Sequence, residues 1–252
     1  MSTIKVIDVI QRVEDVIQDE NVRWPRLELQ NWINEAYLQI VLLRPDSNAV
    51  SGTFVCAGGT KQNLNDGGDA AVFGSALRLL DVVRNLEATS DKKVIRHIVR
   101  SVLDDQRPSW HAEEGTLNIQ NFTFDPRRPK EFYVFPPALA TTEIEVVYAD
   151  APKAHTRTEA ELDPTDAANQ TVDIVTAPEA FIKLDDIYLS SIIDWVLYRS
   201  YSKDAEYAAN AERAMAHNQA FFNGIGAKTQ TDMGTAPSRV PEGPDQARRI
   251  NG

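Results

Sequence analysis

The residues able to carry acid–base or metal chemistry are few and scattered. His97 falls in KKVIRHIVRS beside Arg96 and Arg100, in a segment whose Val and Ile content predicts a strand. His111 follows Trp110 and precedes Glu113 and Glu114. One imidazole and two carboxylates, with no second histidine nearby, fall short of the convergent ligands a metal needs, so this stretch reads as a solvated turn. Asp104 and Asp105 in VLDDQRP could pair for proton transfer. Their place just before Pro108 fits a helix end or turn better. NLNDGGDA has the look of a calcium loop, but with Gly68 sixth the twelfth residue is Gly74 rather than the required Glu. AGGTK and DGGD lack phosphate-loop spacing and read as hairpin turns. Cys56, the only cysteine, sits among apolar neighbours in TFVCAGG and reads as a small buried side chain. A single cysteine excludes a disulfide within the chain. No catalytic, cofactor-binding or metal-binding residue is therefore assigned, no cofactor is expected, and the chain does not read as an enzyme.

The bulk composition narrows the class further. The chain has 252 residues, enough for one large domain or two small ones. It is 42% hydrophobic and 25% charged, with a mean hydropathy of −0.35, as in soluble globular proteins. No run of eighteen apolar residues predicts a membrane span. The first twenty residues interleave charge with apolar residues, unlike a signal peptide, so a protein made and kept in a cytoplasm is expected. The net charge of −11 argues against tight phosphate binding, though not against a surface that DNA slides past.

The elements follow from periodicity. Val6, Ile10, Val13 and Ile17 form one face of a first helix. Pro25 suits the start of a second, whose stripe is Leu29, Ile33, Ala36, Ile40 and Leu43, with Pro45 closing it. Short Val-, Ile-, Phe- and Tyr-rich segments follow at 53–56, 80–86, 94–99, 116–124, 131–135 and 143–148. They predict an antiparallel β-domain of five or six strands, with Thr116 to Phe124 alternating most cleanly and a helical turn at Leu103 to Gln106. Glu143 to Asp173 carries eight carboxylates against Lys153 and Arg157, and its later part has few large apolar residues, so a long excursion or arm is expected. A strong helical block runs over Leu184 to Tyr201, and a second over Ala205 to Gly224, with Gly224 and Gly226 as the stop. Ala227 to Gly252, with Pro237, Pro241 and Pro244, has no apolar period and predicts an extended tail.

The fold class that emerges is α+β. A helical bundle is made from both ends of the chain, with an inserted antiparallel β-domain and an extended C-terminal tail. The boundaries are 1–47 for the N-terminal helices, 48–176 for the β-domain with its acidic arm, 177–226 for the C-terminal helical hairpin and 227–252 for the tail. Trp32, Tyr37, Trp195 and Tyr198 occupy core-like helical positions, and acidic or neutral companions argue against a base-stacking platform. The alanines of the last helix, Ala209 and Ala216 among them, present small faces. Such faces suit either packing within the bundle or a tight contact between chains.

Two segments resemble a known family. RWPRLELQNWINEAYLQIVLLRPD is similar to the N-terminal helical region of phage head-to-tail adaptor proteins, and DDIYLSSIIDWVLYRSYSKDAEYAANAERAMAHNQAFFNGIG to their C-terminal helical hairpin. Weaker similarity lies in LLDVVRN, RPSWH and FYVFPPA. The resemblance implies a virion neck protein: a ring of itself, typically of twelve copies, docked on the portal and joined to downstream tail or nozzle proteins. DNA would pass through the channel without sequence-specific binding, and no membrane partner is implied. It carries no catalytic residues to transfer. Trp195 and Leu197 are then expected as anchors of the hairpin, Ala209 and Ala216 as the close-approach face, and Arg239, Arg248 and Arg249 as tail contacts. The rival expectations are a stopper or tail-tube protein, a nucleic-acid-handling module, and a tail-associated cell-wall hydrolase. The last would need a paired carboxylate cleft.

Overall fold

The computed structural model describes residues 2–19, 21–66, 73–86, 92–204 and 208–235. Two layers of structure follow one another along the chain and return to the first. Helix α1 (Val6–Ile17) opens with the Asp8 carboxylate accepting from the Lys5 amide at 3.3 Å and ends at Gln18 in the left-handed region, φ 54°. It buries Val6, Val9, Ile10 and Val13. In the turn after it, the Asp19 carboxylate accepts from the amides of Val22, Arg23 and Trp24. Helix α2 (Arg26–Leu43) starts directly after Pro25 and buries Leu29, Ile33, Ala36 and Ile40 completely. Leu43 departs from the expected stripe and is 43% exposed.

The β-layer comprises β1 (Ala49–Val55), β2 (Gly59–Asn63), β3 (Ala76–Asn85), β4 (Arg96–His97), β5 (Asn121–Phe124), β6 (Glu131–Ala138) and β7 (Glu143–Asp150). One sheet has the order β1-β7-β3 and the other β2-β6-β5-β4. All pairs are antiparallel except the short β4–β5 pair. The Ile95 amide donates to Val83 O at 3.1 Å and the Asn85 amide to Lys93 O at 2.9 Å, which ties the two sheets together. Asn85, fully buried, also donates its side-chain amide to Ile119 O and accepts from the Ile119 amide. The sheets close over one core that includes Phe54, Phe73, Phe132, Val134, Ile144, Val146 and Tyr148.

Three strand expectations needed correction. AGGTK is not a hairpin turn: Gly59, at φ 100°, turns the chain into strand β2. The segment 94–99 forms a ladder only at Arg96 and His97, and parallel to its neighbour. Thr116 to Phe124 is a strand only from Asn121, despite its alternation. Opposite its first half β6 carries Pro136 and Pro137, which have no N–H to complete a ladder. A helix, α3 (Arg100–Gln106), stands where one turn was expected.

The acidic segment after β7 runs along α2. Its elements are short helical turns, including α4 (Ala167–Gln170). Asn34 and His155 exchange two hydrogen bonds, at 3.0 and 2.8 Å, and Gln30 and Arg157 exchange two more, at 3.2 and 3.0 Å. Leu162 is fully buried. Side-chain amides on α2 thus replace the large apolar residues that this segment lacks.

Helices α5 (Leu189–Lys203) and α6 (Ala208–Thr235) complete the bundle and form its most extensive helix pair. Gly224 and Gly226 do not stop α6, which continues to Thr235. Gly224 serves close approach instead: a Cβ there would lie 3.1 Å from Ser191 Oγ on α5. The expected tail accordingly begins with nine helical residues, and positions 236–252, with Arg239, Arg248 and Arg249, lie outside the described residues. The helical core joins Val6, Ile10, Ile33, Tyr37, Leu184, Ile192, Val196, Leu197 and Phe221 from both ends of the chain. Among the described residues no helix is long and apolar enough to cross a membrane.

Candidate assembly surface

The side chains with chemical potential are occupied by structural duties. Asp104 accepts from Trp110 Nε1 at 2.9 Å and pairs with Arg100 at 3.3 Å. Asp105 is exposed on α3. His111 stacks on Trp110 with centroids 3.7 Å apart and places Nδ1 2.8 Å from Thr60 Oγ1. Glu113 pairs with Arg107 at 3.3 Å, and His97 lies edge-on to Phe122. Cys56 is 2% exposed, and burial pushes its thiol up to about 12. Among the described residues no three His, Cys, Asp or Glu side chains are grouped to hold a metal.

The C-terminal hairpin is built differently on its two sides. Helix α6 turns Asn210, Ala214, Phe221 and Ile225 inward, four, seven and four residues apart. The opposite face holds Ala209, Ala216, Ala220 and Ala227, seven, four and seven residues apart. Ala209 is half-buried and the other three are exposed. Two large apolar side chains, Met215 at 74% exposure and Phe222 at 47%, stand on a third side of the helix, away from the alanines. Trp195 is half-buried between Tyr198 and Phe221, at centroid distances of 5.4 and 4.9 Å. Leu197, 2% exposed, anchors the helical core rather than the surface. The structure thus separates the four hairpin residues that the sequence grouped: Leu197 inside, Trp195 at the seam, Ala209 and Ala216 outside.

An ion cluster that sequence reasoning missed holds the last turns of α6. Arg44, 7% exposed at the end of α2, pairs with Asp46 and, at 2.6 Å, with Asp232. Lys228 pairs with the same Asp232 at 2.9 Å and lies 5.6 Å over the Tyr188 ring. Hydrogen bonds from Lys228 and Arg44 hold the Asp232 carboxyl below the usual carboxylate range, and Arg44 does the same for Asp46. Arg44 and Asp232 lie 188 positions apart, and nothing local brings those two together. A second missed feature is His155, buried against α2. Its Nδ1 donates to Glu179 O at 3.0 Å while Tyr37 Oη donates to its Nε2 at 2.9 Å. Burial, aided by the nearby charge of Lys183, lowers this imidazole to about 4, so it is neutral.

A helical face of small side chains is thus turned outward, and Asp104, His97, His111 and Cys56 are engaged in packing or pairing. A family model described as SU10 adaptor protein matches residues 4–241, and the chain belongs to that family. It is therefore a phage adaptor, a structural component of the virion. A search of curated proteins found no match.

Proposed function

We propose that this chain forms the adaptor ring between the portal and the tail. Twelve copies would surround the channel, docked on the portal above and on tail or nozzle proteins below, with DNA passing through without sequence-specific binding. The observation that carries this reading is the outer face of α6. A helix of 28 residues, about 42 Å long, keeps a stripe of alanines away from its own core. Small residues at that spacing allow a neighbouring helix to approach closely. The tail beyond the helix would lie on the portal. Its Arg239, Arg248 and Arg249 face only Glu242 and Asp245, giving it a slight positive charge in an acidic chain. Tail binding repeated around a ring raises the effective concentration and compensates for weak single contacts.

Reconstruction of the virion neck tests the proposal directly. The expected result is density for this chain as a closed ring in contact with the portal. A position in another layer of the tail would assign it to the stopper or tube instead. A chain ending at Thr235 should keep its melting temperature and lose co-sedimentation with portal rings. Retained portal binding would remove the tail from the proposal.

A further inference from the structure

An apolar groove opens between the two layers, close to where α6 ends. It measures about 470 Å³ and is lined by Leu38, Leu42 and Pro45 from the end of α2 and by Leu77 and Pro129 from the β-layer. Leu42 is 72% exposed and Leu38 50%, so the groove shows leucine side chains to water. Gln39 and Arg78 are its polar members, and Arg78 is the one charged residue among them. Arg78 is half-buried and makes no ion pair among the described residues, and its Nε is buried without a hydrogen-bond partner. The carboxylates next in sequence to the lining are engaged elsewhere. Asp46 is held by Arg44, and Asp150 lies beside Tyr148, on the face of the sheet opposite to Ala149.

The last turn of α6 is fixed at one edge of this groove. Asp232 pairs with Arg44 at 2.6 Å, and the next residue, Pro45, lines the groove. Thr235 ends the helix three residues later, and seventeen residues follow it. The nearer part, 236–245, reads APSRVPEGPD. It holds the apolar pair Val240 and Pro241, and it carries Glu242 and Asp245 against Arg239, whereas the farther part carries Arg248 and Arg249. At about 3.3 Å per residue, Val240 can reach about 17 Å from Thr235 and Glu242 about 23 Å, enough to cross a groove of this size. Pro237, Pro241 and Pro244 bias the residue before each toward the extended form, in which proline-rich segments enter apolar grooves.

We propose that residues 236–245 dock in this groove of their own subunit, with Val240 and Pro241 against the leucines and Glu242 on Arg78. The occupant is the chain's own tail because the helix that carries it is clamped beside the groove. A link whose length matches the span keeps the effective concentration of the tail high. The segment brings two carboxylates and one arginine to a groove whose one charge is an unpaired arginine. Leu38, Leu42, Leu77 and Arg78 belong to neither core, so the contact directs the tail without setting the melting temperature. Residues 246–252 then leave the subunit at a defined place, where Arg248 and Arg249 are available to the portal. The groove contact does not depend on the portal contact proposed above.

Photo-crosslinking of the full chain, with a benzophenone amino acid in place of Gln39, tests the contact when the joined peptides are mapped by mass spectrometry. Mixing isotope-labelled and unlabelled chains separates a tail in its own groove from a tail in a neighbour's. The expected result is joining to residues 236–245 within one chain, at a yield independent of protein concentration. Arg78→Glu and Val240→Asp should each lower that yield about fivefold or more, with unchanged far-ultraviolet spectra. Arg78→Glu combined with Glu242→Arg should restore part of the loss, and no recovery would overturn the pairing of Arg78 with Glu242. Joining to a neighbour's tail, no joining to the tail, or a full yield in either single variant would overturn the proposal. Co-sedimentation with portal rings separates the two readings of the tail. Crosslinking without portal binding overturns only the portal contact, and portal binding without crosslinking overturns only the groove contact.

Discussion

The two layers of this adaptor reach a closed core by opposite routes. The β-layer draws its core from residues 54–148, one continuous stretch. The helical layer draws its core from residues 6–41 and 162–225, so it cannot close until the chain has passed through the β-layer and returned. Polar stitching differs in the same way. In the β-layer a buried asparagine, Asn85, joins the two sheets across 34 positions to Ile119. In the helical layer, Asn34 and Gln30 hold a segment more than 120 positions away. An insertion that is self-contained can change without disturbing its host, and a host built from both chain ends stands or falls as one unit.

The comparison breaks most readily at the aromatic cores. Phe132→Ala and Phe221→Ala each empty a fully buried site, and each should cost about 3–5 kcal/mol. Hydrogen exchange followed by mass spectrometry should show Phe132→Ala loosening residues 49–150 alone. Phe221→Ala should loosen both ends of the chain together. Loss of protection across both layers in the Phe132→Ala chain would mean that the two cores are one cooperative unit.

The next largest effect is that of His155. Its folded-state value of about 4 lies below the ordinary histidine value, so the unfolded chain takes up the proton first as pH falls. The stability it contributes is complete above about pH 6.5 and is lost as pH falls to about 4, amounting to about 3 kcal/mol. Chemical denaturation across that window should show the slope, and His155→Asn should flatten it. An unchanged slope in the variant would place its source elsewhere. Overpacking at Gly224 comes next: Gly224→Val forces a methyl against Ser191 and should cost about 1–3 kcal/mol by thermal denaturation.

The smallest folding effect separates the subunit from its assembly. Ala216 is exposed, so Ala216→Leu should change folding stability by no more than about 0.5 kcal/mol. If the alanine face meets a neighbour, the same substitution should prevent ring formation in sedimentation velocity. Rings that form normally would return that face to solvent.

Much of the helical layer was legible in advance because burial on a helix repeats in the sequence. Val6, Ile10 and Val13 on α1, and Leu29, Ile33, Ala36 and Ile40 on α2, lie inside as their spacing requires. Strands were less legible, since a ladder depends on its partner. Thr116 to Gln120 alternates well, yet it faces two prolines on β6. Strand β2, five residues beginning with a glycine, offers too little pattern to be seen.

By itself the sequence determined the α+β plan and the inward faces of α1 and α2, because residue type and period act over a few positions. Tertiary structure decided what depends on distant partners. Gly224 became a helix crossing instead of a helix end because Ser191 lies beneath it. Arg44 holds the end of α6 because folding brings Asp232 to the end of α2. His155 stays neutral because Tyr37 and Glu179 enclose it, and no neighbour in its own segment foretells them. Local periodicity reports which face of an element seeks burial, and only the folded chain decides what that face and its polar neighbours meet.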